Sequence, residues 1–199
     1  MALILLRHTR PLGADGTCYG ATDLPPGPDL VNEARRLAAQ LPPVARVVTS
    51  PLSRCARLAE RLAEARGLDL TEDARLRELD FGSWEGLKWD RVPRGELDLW
   101  AADLLHARPH GGETVAEMAH RVGAALAEHG GDGVLVVTHA PQVAARATRH
   151  YLIAKEAAGE GVATRLRPLG FDRRREELAR MLAGETITDE ARAAAEKLL

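Results

Sequence analysis

Three short, almost wholly apolar runs punctuate the chain, at residues 2–6, 44–49 and 133–138, and stretches of helical period lie between them. Apolar runs of that length mark strands buried on both faces. Their alternation with helices predicts an α/β fold, a three-layer sandwich around a mostly parallel central sheet. Asp29 is placed to cap a helix reaching about Leu41, with Leu30, Ala34, Leu37, Ala38 and Leu41 on one stripe and Pro42-Pro43 as its stop. Ser50-Pro51 predicts a second helix directly after strand 44–49, the serine hydroxyl capping free amides, and Gly67 suits its end. A third helix is expected from about Thr114 to His129, turning Val115, Met118, Val122 and Leu126 inward and stopping at Gly130-Gly131. Residues 9–28 and 80–112, rich in Gly, Pro and Asp, read as loops over the strand ends, with a short helix near 94–105. Beyond 140 the pattern predicts a helix at 141–149, strands at 151–155 and 162–168, and helices at 173–183 and 188–198. The local pattern permits these elements to close the sheet, and residues 140–199 are expected to complete one domain over 1–199.

Composition changes this picture little. The 199 residues are 45% hydrophobic and 28% charged, enough for a sizeable core without disulfides. A formal net charge of −2 argues against nucleic acid or an anionic membrane as principal partner, and Arg173-Arg174-Arg175 reads as a solvated helix face. Cys18 and Cys55 form no Cys-x-x-Cys pair, which points to a cytoplasmic protein. The apolar start at 2–6 is too short for a signal segment or a membrane span.

The candidate chemistry gathers where strands end, the edge of an open α/β sheet at which ligands bind. Arg7 and His8 close the first strand; a neutral imidazole can accept a phosphoryl group while a neighbouring guanidinium holds its oxygens bidentately. Thr49-Ser50-Pro51-Leu52-Ser53-Arg54 is a second strand-to-helix junction, carrying Arg54 and free amides to the same edge. Thr138-His139 closes the third strand. In the segment Leu76 to Gly86, a carboxyl group near Phe81 or Trp84 could keep a proton for a leaving alcohol. Chemistry alone does not rank Glu78, Asp80 and Glu85 for that task.

The order Arg-His, Ser-Pro-Leu-x-Arg, Leu-x-Glu-x-x-Phe-Gly-x-Trp-Glu-Gly, Gly-Gly-Glu-Thr, Val-Val-Thr-His resembles the histidine phosphatase, or phosphoglycerate mutase-like, superfamily over about residues 1–139. The segments 16–23 and 84–90 look most like α-ribazole phosphatases. The resemblance implies a phosphoglycerate mutase-like fold and a phosphatase that needs neither metal nor cofactor. It makes His8 the nucleophile, Arg7 and Arg54 the substrate-binding phosphate ligands, His139 a second pocket histidine and Glu78 the proton donor; Glu85 and Glu113 go to pocket architecture. The expected partner is a small phosphorylated metabolite, and a homodimer is allowed for. Thr9 stands where the family usually has glycine, Arg10 where the phosphatase motif commonly has Glu, and Ala140-Pro141 where two glycines are usual.

From about Val137 onward, Val-Thr-His-Ala-Pro-Gln-Val-Ala-Ala-Arg-Ala, Thr164 to Leu169 and Glu177 to Gly184 resemble the carboxy-terminal end of the RecN-type DNA-repair ATPase. The chain therefore reads as a junction of two families at a shared strand-then-histidine motif. ATPase activity is not expected, because no Gly-x4-Gly-Lys-Ser/Thr loop occurs. Two other readings are a phosphoglycerate mutase-type phosphotransferase and a noncatalytic phosphate-binding or interaction module. A metal site at His106, His110 and Glu113 has suggestive spacing, but Pro109 interrupts the helix that would align the histidines.

Overall fold

The computed structural model describes residues 3–138, 150–158, 161–183 and 189–199. Four strands, β1 (Ile4–Arg7), β2 (Arg46–Thr49), β3 (Asp69–Glu72) and β4 (Val134–Thr138), form a wholly parallel sheet in the order β1-β4-β2-β3. Alternation along each strand splits the core in two. Leu6, Val47, Leu135 and Val137 face α1 (Leu30–Gln40) and α2 (Ser53–Arg66), packing on Leu37, Leu58 and Leu62. Leu5, Val48, Val134 and Val136 face α4 (Val115–His129), packing with Met118, Val122 and Ala125. The expected three layers follow directly from this period of two.

The helices form where the sequence stripes place them, with informative differences at their ends. In α1, Ala34 and Leu37 are buried, but the Asp29 carboxylate takes a hydrogen bond from Asn32 Nδ2 (2.8 Å) rather than from a backbone amide. The second helix begins at Ser53, two residues later than Ser50-Pro51 predicts. The Ser50 hydroxyl receives the Leu52 amide at 3.4 Å, while Asp23 in the preceding loop receives the Ser53 amide (2.7 Å) and hydroxyl (2.6 Å). A carboxylate distant in sequence therefore caps α2 and ties the first loop to the helix start. Gly67 ends α2 in the left-handed conformation, φ 63°. Thr114 and Glu117 form a reciprocal capping box on α4.

Strand β3 was invisible to the pattern because Asp-Leu-Thr-Glu contains one apolar residue; as an edge strand it needs no continuous apolar run. The short helix in the second loop is α3 (Arg94–Ala102). Past residue 149 the predicted strands and helices occur as β5 (His150–Ala158), β6 (Gly161–Leu169), α5 (Phe171–Ala183) and α6 (Asp189–Leu198). The pattern permits these strands to close the main sheet, but β5 and β6 instead pair antiparallel with one another, from His150↔Leu169 to Ala158↔Gly161, in a separate two-stranded sheet. Two residues between the strands favour local antiparallel pairing, whereas joining the parallel sheet needs a long crossover. The helix expected at 141–149 lies outside the described residues.

Candidate active site

The register of the sheet decides which residues meet. Arg7 pairs with Thr138 and Thr49 with Val137, so the carboxyl ends of β1, β4 and β2 are level. The ladder continues one residue beyond the strands: the His8 amide donates to Thr138 O (3.1 Å) and the Ser50 amide to Val137 O (3.1 Å). His8 and the Ser50–Arg54 junction therefore flank the end of β4 at one sheet edge.

His8 is buried, and its Nδ1 lies 2.6 Å from the carbonyl of Thr9. A carbonyl only accepts, so Nδ1 carries the proton and Nε2 keeps the lone pair. Burial, reinforced by the positive charges of Arg7 and Arg54 and opposed by the Thr9 hydrogen bond, brings the imidazole down to about 3, neutral across the physiological range. Arg7 is itself held below its ordinary value, first by burial; Tyr19, Arg180, Glu177 and Arg54 also act on it. Helix α5, which carries Glu177 and Arg180, thus contributes charge to the same edge.

Arg54 is fully buried in the first turn of α2. Its Nη1 donates to Thr22 O (2.8 Å) and its Nη2 to Gly20 O (2.6 Å), while the guanidinium lies 5.2 Å from the centroid of the Tyr19 ring. Its buried Nε has no hydrogen-bond partner among the described residues, nor has the buried Thr9 hydroxyl. A buried guanidinium donor without an acceptor is costly in the protein alone and suits an anion.

The carbonyls that hold Arg54 are fixed by Glu85. Its carboxylate accepts from the amides of Gly20, Ala21, Thr22 and Phe81 and from the Thr22 hydroxyl. Burial opposes its ionisation, but these hydrogen bonds outweigh that penalty and keep the carboxyl below its ordinary range. Gly20 makes the approach possible: a Cβ there would lie 1.9 Å from the Leu79 carbonyl. Gly82, at φ 47°, lies against the far end of its own loop, with the His110 carbonyl 2.3 Å from where its Cβ would be.

Geometry separates the three carboxylates that chemistry left unranked. Asp80 is exposed and accepts from the Gly82 amide (2.8 Å), and Glu85 is occupied with loop amides. Glu78 is buried just past the 74–76 turn, its Oε1 accepting from the Leu79 amide (3.0 Å). That turn is fastened to the sheet edge by Thr138, whose hydroxyl donates to Leu76 O (3.2 Å). His139 lies outside the described residues. The sequence names Arg7, His8, Arg54 and Glu78 as candidates and gives Glu85 to pocket architecture, but it does not anticipate the amide cradle around Glu85, the Tyr19 ring beside Arg54 or the charges of α5. For α5 no sequence signal exists; for the cradle, the Trp84-Glu85-Gly86 motif and the glycine at 20 in a loop of small residues are the hints.

The metal-like spacing resolves into separate partnerships. His106 pairs with Asp103, His110 Nδ1 receives the Gly112 amide and Glu113 binds Arg121; among the described residues no three ligand-type side chains cluster. No described helix is long and apolar enough to cross a membrane.

Comparison with known proteins follows the same lines. Probable phosphoglycerate mutases of Klebsiella pneumoniae and Citrobacter koseri are 38% identical over 104 residues and 41% over 88. The aligned parts cover 48% and 42% of this chain and 48% and 40% of theirs, so the chain spans about half the length of these relatives or less. A candidate α-ribazole-5'-P phosphatase of Escherichia coli K-12 superposes with a TM-score of 0.61 at 27% identity, over 71% of this chain and 74% of that one. The mycobacterial glucosyl-3-phosphoglycerate phosphatase gives 0.56 at 29% identity, over 69% and 73%. The α-ribazole phosphatase of Shigella flexneri, 22% identical, shares the fold with a TM-score of 0.64 over 83% and 95%. The family model of the histidine phosphatase superfamily, branch 1, matches residues 3–180, past the strand-end histidine and into α5. The chain belongs to the histidine phosphatase superfamily.

Proposed function

We propose that the protein hydrolyses a small phosphate monoester through a phosphohistidine on His8, without a metal, and that α-ribazole phosphate is the first substrate to test. The observation that carries this reading is the setting of His8: buried, held neutral by that burial and by the charges of half-buried Arg7 and buried Arg54, with Nδ1 anchored on the Thr9 carbonyl. Nε2 attacks phosphorus in line, an N–P bond forms and the ester P–O bond breaks. Arg7 and Arg54 hold the phosphoryl oxygens, and Glu78 gives its proton to the departing alkoxide oxygen. Water then attacks the phosphohistidine and Glu78 takes its proton, which releases inorganic phosphate and restores neutral His8. His139 is assigned a supporting charge at the phosphoryl group.

The loop segments 16–23 and 84–90 and the likeness to the Escherichia coli protein support the ribazole ester. A second reading, phosphotransfer between phosphoglycerates, is favoured by the probable mutases among the relatives. The test is phosphate release in EDTA from p-nitrophenyl phosphate, α-ribazole phosphate and 3-phosphoglycerate by the wild type, His8→Ala and Glu78→Gln. Turnover by the wild type and a loss on the order of 10³-fold or more in His8→Ala are expected. Activity that survives loss of His8 would defeat the mechanism. No activity in any protein would favour a phosphate-binding module. Isomerisation of 3-phosphoglycerate without phosphate release would favour the mutase.

A further inference from the structure

A third arginine divides its donors between the Glu113 carboxylate and the backbone around Glu78. Arg121, near the middle of α4, uses all five of its N–H donors. Nε and Nη2 grip the two oxygens of Glu113, each at 2.6 Å. Nη1 donates to the carbonyls of Arg75 and Arg77, both at 2.7 Å, and Nη2 donates to the carbonyl of Glu78 at 3.1 Å. Three carbonyls within four residues are thus gathered on one guanidinium. The planar fork can do this; an ammonium group lacks the shape.

The clamp is itself anchored. Helix α4 lays Met118, Val122 and Ala125 into the core and is capped by Thr114 and Glu117. The Glu113 amide donates to the Asp80 carbonyl (2.9 Å), so the loop supplying the counter-ion is bonded to the loop that follows Glu78. The Arg75 side chain holds Asp73 and Glu128, fixing the other end of the segment.

We infer that Arg121, preorganised by Glu113, is the positioning residue that sets the place of the Glu78 carboxyl relative to the leaving oxygen. With all five donors engaged on Glu113 and the three carbonyls, Arg121 acts through the Glu78 backbone. The inference rests on the reading of Glu78 as proton donor, and it predicts a selective defect. An alkyl phosphate needs its leaving oxygen protonated, whereas p-nitrophenolate leaves without help. Values of kcat/KM report only steps up to phosphoryl transfer to His8, so the comparison isolates the donor.

The experiment measures kcat/KM for an alkyl phosphate and for p-nitrophenyl phosphate in the wild type, Glu78→Gln, Arg121→Lys and the double variant, with thermal midpoints recorded. Arg121→Lys is expected to lose roughly 10²-fold on the alkyl ester and under about threefold on the nitrophenyl ester, in the range of a misplaced general acid. The double variant is expected to match Glu78→Gln alone, because the two changes remove one function. Should Arg121→Lys fail to fold, Glu113→Gln, which weakens the grip but keeps an acceptor, is expected to show the same selectivity at smaller size. Equal losses on both esters, or no loss, would overturn the clamp. If Glu78→Gln is selective and neither clamp variant is, the clamp alone is wrong; if Glu78→Gln is unselective, the proton-donor reading falls and the clamp with it.

Discussion

A histidine enclosed between a strand end and two guanidinium groups has its protonation state decided by burial. Because the imidazole is brought down to about 3, His8 stays a lone-pair base far below the pH at which a solvent-exposed histidine charges. The expected NMR titration of the His8 ring has its midpoint near 3, and the acid limb of kcat/KM is not set by this group near 6.5; a ring titrating at its ordinary value would contradict the geometry. Glu85 and Gly20 give a second prediction. Gly20→Ala drives a methyl group against the Leu79 carbonyl and displaces the carbonyls that hold Arg54. It is expected to destabilise by about 1–3 kcal/mol in urea unfolding and to raise KM more than it lowers kcat. Arg7, His8 and Arg54 are legible as candidates because residue type coincides with a strand end or the strand-to-helix junction, whereas Glu78 is singled out only by the family resemblance. The bonds of the Glu85 cradle and the Arg121 clamp are not legible, since most of them join residues 43 to 65 positions apart and leave no periodic trace.

At the level of elements, apolar period placed β1, β2, β4 and the three long helices to within a few residues, because each buries a continuous stripe. What it missed has a physical cause in each case. Strand β3 pairs on one side only and carries little apolar surface. The start of α2 is set by a tertiary cap from Asp23, which outcompetes the local Ser50. Asp23→Ala is therefore expected to cost about 1 kcal/mol in the urea midpoint, within the usual range for a lost cap, whereas Ser50→Ala costs less. The reverse order would restore the sequence-based boundary. The hairpin β5–β6 is legible as two strands, but the pattern does not say which sheet they join. Strand length is local information, while the choice of partner depends on what the connection can span.

Over the whole molecule, two buried groups give acid sensitivity in separate windows. His8 binds its proton near 6.5 when unfolded and near 3 when folded, so acidification below about 6.5 favours the unfolded chain. That loss runs at up to about 1.4 kcal/mol per pH unit and saturates below 3. Asp73 has the opposite chemistry and the same outcome. Its hydrogen bonds from the Arg75 side chain, opposed by burial and helped by the Arg75 amide and His129, lower it from 3.8 to about 2. Its contribution is whole above 3.8 and is lost as the pH falls through 2. Unfolding followed against pH is expected to lose its slope between 6.5 and 3 in His8→Gln and between 3.8 and 2 in Asp73→Asn, each variant leaving the other window intact. The cost of holding His8 neutral at the sheet edge is thus visible in stability as well as in chemistry.

The central claim is that His8 carries the phosphoryl group. Its most direct test is rapid quenching of the protein with labelled phosphate ester into base, which preserves phosphohistidine, followed by peptide mapping. The label is expected on the peptide containing His8, stable to base and lost in mild acid, and absent from His8→Asn. Label on another residue, or none while phosphate is being released, would contradict the account.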